Sequence, residues 1–170
     1  MVSLAHLNSA PDEEFIATLG GIYEHSDWVP RTILPQRPFR DSLALLIALR
    51  EAVDHSSNQQ KLTLIRSHPD LAGKLARAGN LTSFSTREQA SLGLDRLSDQ
   101  EYDEFTANNL SYGERFSFPF IICARLNRVE TILDAMQTRL SNDRDQEITT
   151  ALDEIYKIAR LRLEDIIADE

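Results

Sequence analysis

Helical spacing runs through almost the whole chain, and one stretch alone reads as extended. Apolar residues recur three and four positions apart, while the period-two alternation of half-buried strands is nearly absent. The exception is Phe118-Pro119-Phe120-Ile121-Ile122-Cys123-Ala124. Its proline cannot donate to a ladder, and no second strand is at hand to pair with it, so it reads as a buried connector. Start and stop signals divide the remainder. Ser9 reads as the cap of a segment with Pro11 in its first turn and Phe15, Leu19 and Ile22 on one face, weakened at Gly20-Gly21. Trp28-Val29-Pro30 reads as a loop and Pro35-Gln36-Arg37-Pro38 as a turn, after which Asp41 opens a second helix. A third, over 58–67, stops before His68-Pro69, because a residue preceding proline is pushed out of the helical region. A short helix is expected over Asp70 to Ala78, closing at Gly79-Asn80. Ser98-Asp99-Gln100-Glu101 is a capping box for a helix reaching Phe116. Helices follow over 128–141 and 143–167, the last capped by Asn142. The expectation is an all-α, single-domain bundle (residues 1–170) of about seven or eight helices, with a short extended connector near 117–124.

Charge narrows the function. A formal net charge of −9 argues against a nucleic-acid or anionic-membrane surface, since both require clustered Lys and Arg. An acidic protein that takes an anionic small molecule must instead place a few arginines in a pocket. The one cysteine, Cys123, excludes an internal disulfide and a cysteine-based zinc cage. No secretory signal opens the sequence, no apolar run approaches the ~20 residues of a membrane span, and a cytoplasmic location is expected.

The last helix carries an anomaly. Taking Ile148 as zero and about 100° per residue, Leu152, Ile155, Ala159, Arg162 and Ile166 all fall within about 40° of it. Arg162 therefore lies in the apolar stripe, whereas Arg160 points about 120° away. A guanidinium among core-facing residues is costly unless paired. Two readings stay open: a buried salt bridge, or a ligand anion site at the edge of the core.

The densest set of reactive side chains is His68-Pro69-Asp70 followed by Ser85-Thr86-Arg87-Glu88. An imidazole with a carboxylate is the commonest acid/base pair at neutral pH. Ser85 and Glu88, three apart, can share one side of a helix start. Ordinary explanations compete: His68 as a turn residue before proline, and Ser85-x-x-Glu88 as a capping box. His68 and Asp70 as metal ligands would make a hydrolase, but His6, His25 and His55 are scattered and no metal site is expected. There is no phosphate-binding glycine loop, no Gly-x-Ser-x-Gly elbow and no Cys-His nucleophile pair.

Beyond these residues, an ordered set of motifs spans most of the chain. It comprises His68-Pro69-Asp70-Leu71-Ala72-Gly73, then Leu81-Thr82 with Ser85-x-x-Glu88-Gln89, Gly93-Leu94, Tyr112-x-x-Arg115-Phe116-x-Phe118-Pro119-Phe120-Ile121, and finally Ile158-Ala159-Arg160-Leu161-Arg162-Leu163. In order and in length it resembles the 2-oxo-4-hydroxy-4-carboxy-5-ureidoimidazoline (OHCU) decarboxylase family. One departure is Phe84, where many members carry a small or acidic residue. The resemblance implies an all-helical, cofactor-free homodimer that converts OHCU to (S)-allantoin in urate breakdown. It implies that His68 is catalytic, that Glu88 assists it, and that Ser85, Glu88 and Arg162 are polar partners of the substrate. Pro69 would shape the loop, and backbone amides near Phe120 and Ile121 would bind substrate carbonyls. The contrary reading is a non-catalytic acidic helical module that docks basic partners.

Overall fold

The computed structural model of the protein describes residues 1–72, 81–94 and 96–168. The all-α expectation holds. Among the described residues there are nine α-helices, and the only strands are two residues long. The chain forms two compact units, residues 1–67 with 156–170, and residues 68–155.

The first unit holds α1 (Leu4–Ser9), α2 (Asp12–Leu19), α3 (Trp28–Ile33), α4 (Ser42–Asp54) and α5 (Asn58–Arg66). It also contains the C-terminal part of α9 (Arg144–Ile166). Phe15, Leu19, Ile33, Leu45, Leu49 and Val53 are fully buried in it. Two local rules behave as read: the Asp41 side chain accepts from Ala44 N–H at 2.7 Å to cap α4, and α5 stops ahead of His68-Pro69. Three details differ. Ser9 does not cap α2 but ends α1, its hydroxyl bonding back to the carbonyls of Ala5 and His6, and Pro11 takes the cap position. Residues 28–30 are not a loop but the first turn of α3, where proline is tolerated because the N–H it lacks would have no helical partner. Ile167, expected in the last helix, instead joins β2 (Ile167–Ala168), which pairs in parallel with β1 (Val2–Ser3).

The second unit comprises α6 (Ser83–Ser91), α7 (Asp99–Phe116), α8 (Val129–Arg139) and the first part of α9. The Ser98–Glu101 capping box forms as expected. Ser117, left-handed at φ 63°, closes α7 by donating its N–H to Gly113. The connector after it is extended and carries Phe118 and Phe120 into an aromatic cluster with Tyr112 and Phe116. A 3-10 turn, Ala124–Leu126, ends it. The last helix is capped not by Asn142 but by Asp143, whose carboxylate accepts from Gln146 N–H at 2.8 Å; Asn142 turns its amide to Glu147 instead. The helix expected over Asp70 to Ala78 lies, from residue 73 on, outside the described residues. Its first residues, Asp70 to Ala72, are not helical.

Candidate active site

His68 follows the end of α5 and is buried, 7% exposed, at the start of the second unit. The backbone after it is held by two amide side chains. Gln89 accepts from Ala72 N–H at 3.0 Å and donates to the Asp70 carbonyl at 3.4 Å, while Asn109 donates to the Leu71 carbonyl at 2.9 Å. These bonds hold Ala72 at φ 52°, a left-handed conformation that a non-glycine residue adopts only when its surroundings impose it. Pro69, half-buried, fixes the entry to the same turn.

Gln89 belongs to α6, and so do Ser85 and Glu88. The capping-box reading of Ser85 and Glu88 is overturned here. The cap is Thr82, whose hydroxyl accepts from Ser85 N–H at 3.3 Å, so Ser85 lies one turn inside and Glu88 a turn further. The residues that α6 buries are Ser85, 4% exposed, and Gln89. A helix on a protein surface normally buries an apolar stripe, since sunken polar groups cost free energy unless something bonds them. Here the buried pair is polar, and Gln89 serves the histidine's loop. Phe84, half-buried, stacks under the Arg87 guanidinium at 4.9 Å from its ring centre.

The connector forms the third part. Phe120, Ile121 and Ile122 are all buried, yet among the described residues no hydrogen bond is made to their three N–H groups. Buried donors of this kind ordinarily find a partner. The next N–H, on Cys123, is taken by Glu154 at 2.8 Å. Burial pushes the Cys123 thiol up to about 11, with Glu154 and then Glu88 adding to the effect. Glu88 thus lies close enough to act on the connector, as the packing of α6 against the 3-10 turn requires. His68, Pro69, Ser85, Glu88, Phe120 and Ile121 all fall in the unit 68–155.

Arg162 falls in the other unit, on α9, and is 1% exposed. Its Nη1 donates to Glu24 at 2.9 Å and to the carbonyls of Gly21 at 3.1 Å and Ile22 at 3.4 Å. Of the two readings left open by the apolar stripe, the buried salt bridge is present. Arg160 is exposed, as the stripe placed it. Sequence reasoning missed Glu24, Asn109 and the loop-clamping role of Gln89. Only for Glu24 was there a signal, the need of a buried guanidinium for a counter-ion. Among the described residues no three His, Cys, Asp or Glu side chains gather as a metal site.

The sequence model of OHCU decarboxylase matches residues 8–164. The chain belongs to the OHCU decarboxylase family. A protein of Halalkalicoccus jeotgali named 2-oxo-4-hydroxy-4-carboxy-5-ureidoimidazoline decarboxylase is 38% identical over 165 residues, 97% of this chain and 92% of that one. One of the same name from Amia calva is 38% identical over 166 residues, 98% of this chain and 95% of the other. A crystal structure of (S)-allantoin synthase superposes with a TM-score of 0.78 at 31% identity, covering 98% of this chain and 54% of that one. The segment matched to the OHCU decarboxylase family contains every residue of the candidate site described above, from Gly21 to Arg162.

Proposed function

We propose that this chain decarboxylates OHCU to (S)-allantoin in urate degradation, with His68 moving the protons. The observation that carries the assignment of residues is the polar buried face of α6, tied through Gln89 to the backbone after His68. A packing helix has no use for such a face, whereas a pocket for a polar ring does.

In the reaction the bond from the hydroxyl-bearing ring carbon to its carboxylate breaks, and CO2 leaves. The electron pair passes into the adjacent ring carbon–nitrogen double bond, whose nitrogen takes up a proton from solvent, so the substrate serves as its own sink and no cofactor is called for. The hydroxyl gives up its proton to become a carbonyl, and a proton is delivered to one face of the neighbouring ring carbon, which sets the product's handedness. His68 accepts and returns these protons, as an imidazole does near neutrality. Glu88 orients the imidazole or the ureido N–H groups, and Ser85 bonds the ring. The uncommitted N–H groups of the Phe120–Ile121 segment hold carbonyl oxygens of this anionic substrate. On the family resemblance alone, the Arg162 guanidinium is assigned to the carboxylate. A homodimer, on the strength of the family resemblance, a cytoplasmic location, and no metal, given the single cysteine and scattered histidines, complete the reading.

The test generates OHCU enzymatically from urate and follows allantoin by circular dichroism. The wild type should accelerate the reaction and yield one enantiomer. His68→Gln should lose about 100-fold or more of that acceleration, the scale of a positioned acid/base, with an unchanged melt. A His68→Gln variant with near-wild-type rate removes the histidine from the mechanism. A wild type without any effect leaves the interaction module as the better description.

A further inference from the structure

We infer that Arg139, through its ion pair with Glu147, is the positioning residue that sets the backbone of Phe120–Ile122 for ligand binding. The inference rests on the reading of that segment as the carbonyl-binding part of the site.

Arg139 ends α8. Its Nε and Nη2 donate to Glu147, at 3.1 and 2.9 Å from one carboxylate oxygen. Glu147, in the first turn of α9, has no exposed surface and also accepts from Asn142 at 2.6 Å and from the Tyr112 hydroxyl. Burial, followed by this bond, pushes the Tyr112 phenol well above its usual range, so it stays a donor. A buried pair of this sort is not needed for stability alone, because apolar side chains of similar volume often serve as well.

What an apolar side chain would not do is bind the connector. The remaining arm of Arg139, Nη1, donates to the Ile121 carbonyl at 2.8 Å, and the guanidinium lies 4.3 Å from the centre of the Phe120 ring. Tyr112 meets the same ring edge-on at 5.2 Å. A peptide unit is planar, with its C=O and N–H pointing in opposite directions. Fixing the Ile121 carbonyl on Arg139 therefore aims the Ile122 N–H away from the arginine. The grip on the Phe120 ring restrains the residue before it. Three buried N–H groups that bond nothing among the described residues are thus held in place by a charge behind them. An extended segment without such an anchor would be free to turn those donors toward other acceptors.

The experiment compares the full-length wild type with Arg139→Met/Glu147→Gln, which removes both charges together and keeps an acceptor for Tyr112. Arg139→Lys is the conservative variant. Ser98→Ala weakens the distant cap of α7 and reports what loss of stability alone does. In ligand-free protein, amide hydrogen exchange at Phe120–Ile122 should be about 10-fold faster or more in the double variant, and unchanged in Ser98→Ala. With substrate, KM should rise about 10-fold while kcat stays within about threefold, because donors to the bound carbonyls act in ground and transition states alike. The affinity for (S)-allantoin, which keeps the 2-oxo and ureido carbonyls but lacks the carboxylate, should fall by the same factor. Arg139→Lys, keeping the charge and losing the fork, should lie between. A folded double variant with wild-type exchange, KM and allantoin affinity overturns the inference. So does an equal rise of KM in Ser98→Ala. If the wild type does not decarboxylate OHCU, the functional reading fails separately, and the exchange rates alone decide the role of Arg139.

Discussion

Removing the Arg162 guanidinium tests the largest electrostatic commitment in the first unit. Arg162→Ala leaves the Glu24 carboxylate 3% exposed without the Nη1 that sits 2.9 Å from it, and strips a donor from the carbonyls of Gly21 and Ile22. Breaking a buried pair on one side costs about 3–5 kcal/mol. For a chain of this length that is a fall in melting temperature of roughly 6–20 °C. Glu24→Gln should cost less, since an amide still accepts from Nη1. The double variant Glu24→Gln/Arg162→Met should recover much of the loss, giving a coupling of about 2–3 kcal/mol in a double-mutant cycle measured by urea unfolding. The same proteins, assayed for allantoin formation well below their melting temperatures, separate structure from substrate. If the guanidinium also holds the carboxylate, the refolded double variant should be slower by about 100-fold or more per molecule, a loss near the 3 kcal/mol of a charged hydrogen bond. If Arg162→Ala melts within about 1 kcal/mol of the wild type, the reasoning from burial is refuted. If the double variant is stable and as fast as the wild type, the anion role is refuted.

Further outcomes are expected. Thr82→Ala should destabilise by about 0.5–2 kcal/mol with little change in turnover, and Ser85→Ala should do the reverse; the opposite pattern in melts and rates would return the cap to Ser85. The Cys123 thiol, held near 11 by burial and by Glu154 and Glu88, should resist iodoacetamide at pH 8 in the folded protein. Because the unfolded thiol ionises near its ordinary 9.0, the folded state binds more protons from about pH 9 to 11, so this contribution to stability is present below 9 and lost as pH rises through that window. Glu88→Gln should lower the thiol's midpoint; an unchanged midpoint would show that Glu88 does not act on the connector.

Features set by neighbouring residues were legible in the sequence. The Asp41 cap, the Ser98–Glu101 box and the stop before His68-Pro69 each need only a few residues, and each formed as read. The burial of Arg162 was legible because a helix converts spacing into direction. In the sequence Ser85-x-x-Glu88 reads as a capping box, whereas the cap is Thr82, three residues earlier, and Ser85 is sunk into the unit instead. Gln89, Asn109 and Glu24 act on partners 17, 38 and 138 residues away, and nothing in their own surroundings announces it. The Trp28–Ile33 helix was hidden by Pro30, which is permitted in a first turn but reads as a breaker in isolation.

The 138 residues between Glu24 and Arg162 also set a schedule for the nascent chain. Residues 68–155 are contiguous and leave the ribosome as one piece, whereas the first unit is completed only by residues 156–170. At about 5–20 residues per second, Glu24 waits roughly 7–28 s for its counter-ion. Asp54 likewise lacks the Tyr156 hydroxyl until 102 residues later, and β1 its parallel neighbour until nearly the whole chain is made. Translation that stops short of α9's last turns leaves the Glu24 carboxylate without Arg162 in a helical unit still missing its last segment. A truncated product of this kind is the species that chaperones and proteases would meet first.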